Sequence, residues 1–191
     1  LLLAGDAKKR AQGASDPLFG HAGTVTAVEY SEGAAGFKFH VGTDGSGFDA
    51  IITPDGGSRN QFTEDSLKLI QDSDGVTRHR LQTVMKGMDV FAFGITTVPK
   101  TVKKLLEKHQ ISIDSIDYFV FHQANKMMNE KIRKKLKLSE EKVPYCMHEF
   151  GNTSSASIPL TIVTQIANET RNKSLNFLAC GFGVGLSWAT V

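Results

Sequence analysis

Cysteine is nearly missing from this sequence, which holds only Cys146 and Cys180. Two thiols cannot make a disulfide framework, and their spacing is not that of metal ligands. Nothing else points to an oxidising compartment, so a cytoplasmic protein with no bound metal is expected. No apolar run approaches the ~20 residues that cross a bilayer, so no membrane span is expected. An excess of one charge is lacking too. Lys and Arg number 22 against 20 Asp and Glu, a formal net charge of +2, which gives no reason to expect DNA or RNA as a partner. There is no low-complexity tract and no short repeat. An initiator Met is absent, and the opening LLLAGD is too short for a signal peptide, with Lys8, Lys9 and Arg10 after it rather than before. The start reads as a buried strand entered partway along a longer protein.

What is present alternates strand-like runs with helical ones, the pattern of α/β layering. The run TVTAVEY at 24–30 alternates and is rich in β-branched residues, as a strand does, and residues 37–41 read as a second short strand. Gly, Asp, Ser and Pro crowd 42–60, the composition of a long loop, and long ordered loops tend to carry function. A helix is expected over 86–109, with Val98, Val102, Leu105 and Leu106 on one face and Pro99 marking a kink or a start. The run YFVF at 118–121 has the continuous apolarity of a strand covered on both faces, and His122 ends it. In the helix that follows, Ala124, Met128, Ile132 and Leu136 step by four. Lys131, Arg133, Lys134, Lys135 and Lys137 fall mostly outside that stripe. The stretch 153–168 is apolar nearly all round, as a helix between layers would be. Strands at 174–179 and 186–191 close the chain around a turn containing Gly181, Gly183 and Gly185.

Three places invite chemistry. His122 stands at the carboxyl end of a buried strand, the edge where open α/β sheets bind ligands, although a single His is more often structural. Asn152 opens the third helix, where it serves either as an ordinary N-cap or beside developing negative charge. The glycines at 181–185 allow backbone N–H groups to approach a ligand, or simply make a hairpin. Their joint order is more specific than any one of them. HQAN at 122–125, GNTSSASIP at 151–159 and CGFGVGLSW at 180–188 resemble the β-ketoacyl-acyl-carrier-protein synthase III family of the thiolase superfamily. GTDGSG at 42–47, LFGHAG at 18–23 and the stretch 85–91 extend the resemblance over essentially the whole chain.

That resemblance implies a thiolase-like α/β fold, with layered mixed sheets and a buried central helix. Family members have two similar halves. Residues 1–33 would be the tail of the N-terminal half and 34–191 the C-terminal half. It also implies a 3-oxoacyl-[acyl-carrier-protein] synthase III of fatty acid biosynthesis, a homodimer with no cofactor beyond its substrates. An acyl group passes from acyl-CoA to a cysteine, and decarboxylative condensation with malonyl-carrier-protein follows. The cysteine belongs to the first half, upstream of this chain, so the chain alone is expected to be inactive. His122 and Asn152 match the catalytic pair that donates to the malonyl thioester carbonyl. Gly183 matches the glycine whose backbone N–H completes an oxyanion hole. Phe182 and Phe91 match channel residues, Asn125 a residue near the pantetheine arm, and Arg10 a basic residue at the CoA nucleotide. Cys146 and Cys180 are expected to be buried structural thiols. Three departures bear on the acceptor and the chain ends: Met127 stands where well-known members carry an arginine that docks the carrier protein, residues 20–23 read GHAG where the family usually has GDAG or GDGAG, and the segment between Arg10 and Leu18 is shorter than usual. A synthase III-like enzyme of secondary metabolism, making a polyketide, quinolone or long-chain ketone, is one alternative. A non-catalytic half-module is another.

Overall fold

The computed structural model describes residues 2–5, 18–72 and 75–191. Leu2–Gly5 (β1) and Gly23–Thr26 (β2) pair antiparallel, Leu2 opposite Thr26 and Gly5 opposite Gly23. β2 is shorter than the alternating run at 24–30, its described pairing with β1 ending at Thr26. Residues 27–30 continue as exposed irregular chain.

His40–Thr43 (β3) starts later than the strand expected at 37–41. The stretch expected to be one loop contains a 3-10 turn at Gly45–Gly47 and the two-residue strand Ile51–Ile52 (β4). A small excursion follows, in which Ile70–Gln71 (β5) pairs with Thr77–Arg78 (β6), before Val84–Met85 (β7) returns to pair with β4. Asp55 ties the excursion down. Its carboxylate accepts from Ser66 Oγ at 2.8 Å and Arg80 Nε at 2.9 Å, and these donors hold it below the usual carboxylate pKa.

Gly87–His109 (α1) is one helix of 23 residues that runs straight through Pro99. A proline cannot donate to the carbonyl one turn back, here that of Ile95. Lys135 Nζ, from a neighbouring helix, takes that carbonyl at 2.9 Å, so the helix continues with the group satisfied. Tyr118–Phe121 (β8) is buried as its composition predicts, with Phe119, Val120 and Phe121 at 0% exposure. Lys126–Lys135 (α2) begins two residues after Ala124, because Asn125 caps it by accepting from Met128 N at 2.8 Å.

After the short Met147–Phe150 (α3), the helical stretch at 153–168 divides. A 3-10 turn at Ser154–Ala156 leads into Ser157–Gln165 (α4), and Ala167–Asn172 (α5) follows a break at Ile166. Ser157 and Thr161 are fully buried on one side of α4, while Val163 on the other is 61% exposed. Phe177–Gly183 (β9) starts later than expected and runs through two of the three glycines; the turn proper is Val184 to Leu186, before Ser187–Thr190 (β10).

The main sheet has the order β3-β10-β9-β8, with β8 and β9 parallel and the other pairs antiparallel. Alternation along β8 and β9 separates the two faces. Phe119, Phe121, Leu178, Cys180 and Phe182 join Val98, Val102, Met128 and Ile132 in one core under α1 and α2. α4 covers the opposite face near Gly181. Each fully buried Phe or Leu in that core contributes roughly 2–3 kcal/mol. Because β8 and β9 run parallel, both end at the same sheet edge.

Candidate active site

His122 is the first residue beyond β8. Its backbone N–H still bonds β9, at the Cys180 carbonyl, 2.9 Å away. Its carbonyl accepts from Ala124 N at 2.9 Å and from the buried Asn129 Nδ2 at 3.0 Å. With both backbone groups held, the side chain leaves the sheet in a fixed direction. The ring stands edge-on to Phe182 with centroids 5.3 Å apart, and Nδ1 lies 2.8 Å from Ser157 Oγ. The next residue, Gln123, is fully buried. It donates to the Phe121 carbonyl and accepts from Cys146 N, so it fastens the end of β8 to the segment leading into α3.

Asn152 is held from a different direction. Its backbone N–H donates to Leu18 O at 2.9 Å, and its carbonyl accepts from Gly20 N at 3.0 Å, an isolated parallel bridge centred on Phe19. Gly20 is required there, since a Cβ on it would overlap the Phe150 carbonyl oxygen. The Asn152 side chain is also oriented. Oδ1 accepts from Ser154 N at 2.9 Å, and the amide nitrogen reaches the Ala124 carbonyl at 3.4 Å. With the oxygen turned to Ser154, the group offered on the other side is an NH₂, a donor. The sequence reading of Asn152 as an N-cap is therefore modified. Its oxygen closes a local turn before the 3-10 segment, and α4 starts only at Ser157.

The two side chains border one open cleft of about 1300 Å³ at the carboxyl edge of β8 and β9. His122, Asn125, Asn152, Phe182, Gly183 and Phe91 all line it, together with Ser157. A volume above the ~300–1,000 Å³ of ordinary small-molecule pockets fits a long flexible ligand. Gly183 pairs with Ser187 at the end of β9, in a strand rather than in the expected turn. Asn125 lines the cleft, but its side-chain oxygen serves the α2 cap. Phe91 lies under Lys131, whose Nζ is 5.4 Å from the ring centroid. Arg10, expected at a CoA nucleotide, lies outside the described residues. Met127, in the first turn of α2, is 66% exposed.

Sequence reasoning gave no role to Ser157, Gln123, Asn129 or the Leu18–Phe19 segment. The available signal was weak: Asn129 is a polar residue one turn after Asn125, beside the apolar positions Met128 and Ile132. Among the described residues no three His, Cys, Asp or Glu side chains are grouped to hold a metal ion, and no helix is long and apolar enough to cross a membrane.

Comparison with known proteins finds the same arrangement of sequence and fold. The family model described as 3-oxoacyl-[acyl-carrier-protein (ACP)] synthase III C terminal matches residues 106–191. A beta-ketoacyl-[acyl-carrier-protein] synthase III of Streptococcus gordonii is 36% identical over 170 residues, covering 87% of this chain and 52% of that protein. A crystal structure of a 3-oxoacyl-(acyl-carrier-protein) synthase III superposes with a TM-score of 0.80 at 36% identity, over 92% of this chain and 52% of the other. A 3-oxoacyl-(acyl-carrier protein) synthase from Burkholderia xenovorans gives 0.79 at 37% identity, over 92% and 49%. The chain spans about half the length of the curated relatives it matches.

Proposed function

Because this chain belongs to the β-ketoacyl-acyl-carrier-protein synthase III family and matches the C-terminal half of its members, we propose that it carries the decarboxylating side of a condensing active site. The fold is the thiolase-like α/β fold of that family. The proposed reaction is an acyl transfer in fatty acid biosynthesis. An acyl group from acyl-CoA is held as a thioester on a cysteine of the N-terminal half, and malonyl-carrier-protein then enters the cleft. Carbon dioxide leaves the malonyl group, and the electron pair of the broken bond becomes an enolate. Its carbon attacks the acyl thioester and releases the cysteine thiolate. The chemistry calls for no cofactor beyond the two thioesters. We assign residues 1–33 to the tail of the first half and 34–191 to the second, since among the described residues β1 and β2 pair only with each other. A cytoplasmic homodimer working with acyl carrier protein completes the assignment.

One observation carries this reading: the side chains of His122 and Asn152, each held by hydrogen bonds of its own, line one cleft on the carboxyl edge of a sheet, where both could act as donors. A donor aimed at developing oxyanion charge typically contributes ~3–4 kcal/mol. In the enzyme carrying both halves, His122→Ala and Asn152→Ala are each expected to slow malonyl decarboxylation by roughly 10²-fold or more. Self-acylation from acyl-CoA should survive far better, because these donors serve the second half-reaction. Equal loss of both half-reactions would show that the roles are misassigned.

A further inference from the structure

Ser157 is the first residue of α4, and its hydroxyl is fully buried between that helix and the end of β8. Among the described residues Oγ has two partners. His122 Nδ1 lies at 2.8 Å, and the Gln123 backbone N–H donates to it at 3.3 Å. Donor and acceptor chemistry then fixes the protons. A backbone N–H can only donate, so Oγ accepts from Gln123. The hydroxyl proton has one acceptor within reach, Nδ1 of His122. The reverse arrangement, with Nδ1–H donating to Oγ, strands a buried hydroxyl proton with nothing to receive it.

We propose that Ser157 is a positioning residue that holds His122 as its neutral Nε2–H tautomer. This rests on the reading of His122 as a donor to the malonyl thioester carbonyl. An oxygen gaining negative charge needs an N–H, and the other tautomer would turn a lone pair toward it. The surroundings are built to keep the contact. Gln123 is locked through its own side chain to Phe121 O and Cys146 N, which aims its backbone N–H at Oγ. Thr161, one turn along α4, donates its hydroxyl to the Ser157 carbonyl at 2.8 Å. The Ser157 hydroxyl has the His122 ring and the Gln123 N–H as its partners among the described residues, and none on its own helix.

The test is the full enzyme labelled with ¹⁵N-histidine, in which long-range ¹H–¹⁵N correlations report the proton on each ring nitrogen of His122. The wild type is expected to show Nε2–H as the sole tautomer. In Ser157→Ala the Nδ1–H form should become populated. Decarboxylation kcat should fall at least about tenfold with KM little changed, loss of the group orienting a catalytic histidine being known to cost far more in a triad. Self-acylation should persist, and Ser157→Thr, which keeps the hydroxyl, should restore the wild-type tautomer. A wild-type spectrum showing Nδ1–H overturns the inference, without recourse to any variant. So does an unchanged tautomer in Ser157→Ala. Decarboxylation that survives His122→Ala overturns the proposed function instead and leaves the tautomer assignment standing.

Discussion

A thiol reacts as its thiolate, and burial opposes that charge. Cys180, at 0% exposure among core residues, has its thiol pushed up to about 12 by desolvation. Cys146 is raised for the same reason, although Thr161 Oγ1 at 3.1 Å acts in the opposite direction. Neither has the setting of a nucleophile. Incubating this chain with radiolabelled acyl-CoA is expected to leave no thioester-linked label, and stoichiometric label on either cysteine would refute the proposal that the nucleophile lies elsewhere. That His122 and Asn152 line one cleft was legible in the sequence, because a strand end and the joint order of the motifs leave a trace. Ser157 was not. In the string GNTSSASIP it is one of several small polar residues, and its role exists only once β8 lies beside α4.

The long apolar strand and the long periodic helix were legible in local pattern, and the shortest paired strands and the division of 153–168 were not. β8 and α1 follow from apolar run and periodicity. The pairs β4–β7 and β5–β6 are two residues long, and nothing in so short a run distinguishes it from loop. The break at Ile166 carries no Gly or Pro to announce it. Two contacts between elements are open to test. Where α1 crosses α2, a Cβ on Gly94 would press on Met128 and Phe182. Gly94→Val is therefore expected to destabilise the fold by about 1–3 kcal/mol, as overpacking does. Under the proposed function, the enzyme carrying both halves should also change its acyl-chain preference, because Phe182 is a wall of the cleft. Denaturant titration reads the first effect and competition between acyl-CoAs the second.

The other contact is Glu130 of α2, which accepts from Arg133 Nε and from Tyr145 OH at 2.9 Å. Arg133 in turn donates to the Leu138 carbonyl at 2.8 Å, closing the helix onto the segment after it. The Arg133 contact is the main cause that depresses Glu130 from the usual 4.5 to about 2. The folded state thus binds its proton later than the unfolded chain does. The resulting stability is fully present above about pH 4.5 and is lost as pH falls toward 2. Glu130→Gln should lower stability at neutral pH by roughly 1.5–3 kcal/mol, the range for a hydrogen bond to a charged group. It should also flatten the decline below pH 4.5, as unfolding across a pH series would show. A decline just as steep in the variant would assign the acid sensitivity to other groups.

At the scale of the whole molecule, the site joins parts of the chain that are far apart in sequence. The bridge between Phe19 and Asn152 closes a loop of more than a hundred residues, whereas β9 and β10 meet across three. Loop-closure entropy makes the longer closure costlier by about 3 kcal/mol. That difference has a consequence in time. A refolding chain should complete its hairpin first, and the clamp on Asn152 should be among the last contacts to become native, so the sheet precedes the site. Pulsed hydrogen exchange can follow the order. Amides of the β9–β10 hairpin are expected to gain protection before those of Gly20 and Asn152, which bond across the bridge. Simultaneous protection of both sets would mean that the chain ends meet during collapse. Under the expected order, every newly made molecule passes through an interval in which its sheet is formed and Asn152, the proposed oxyanion donor, is not yet held in place.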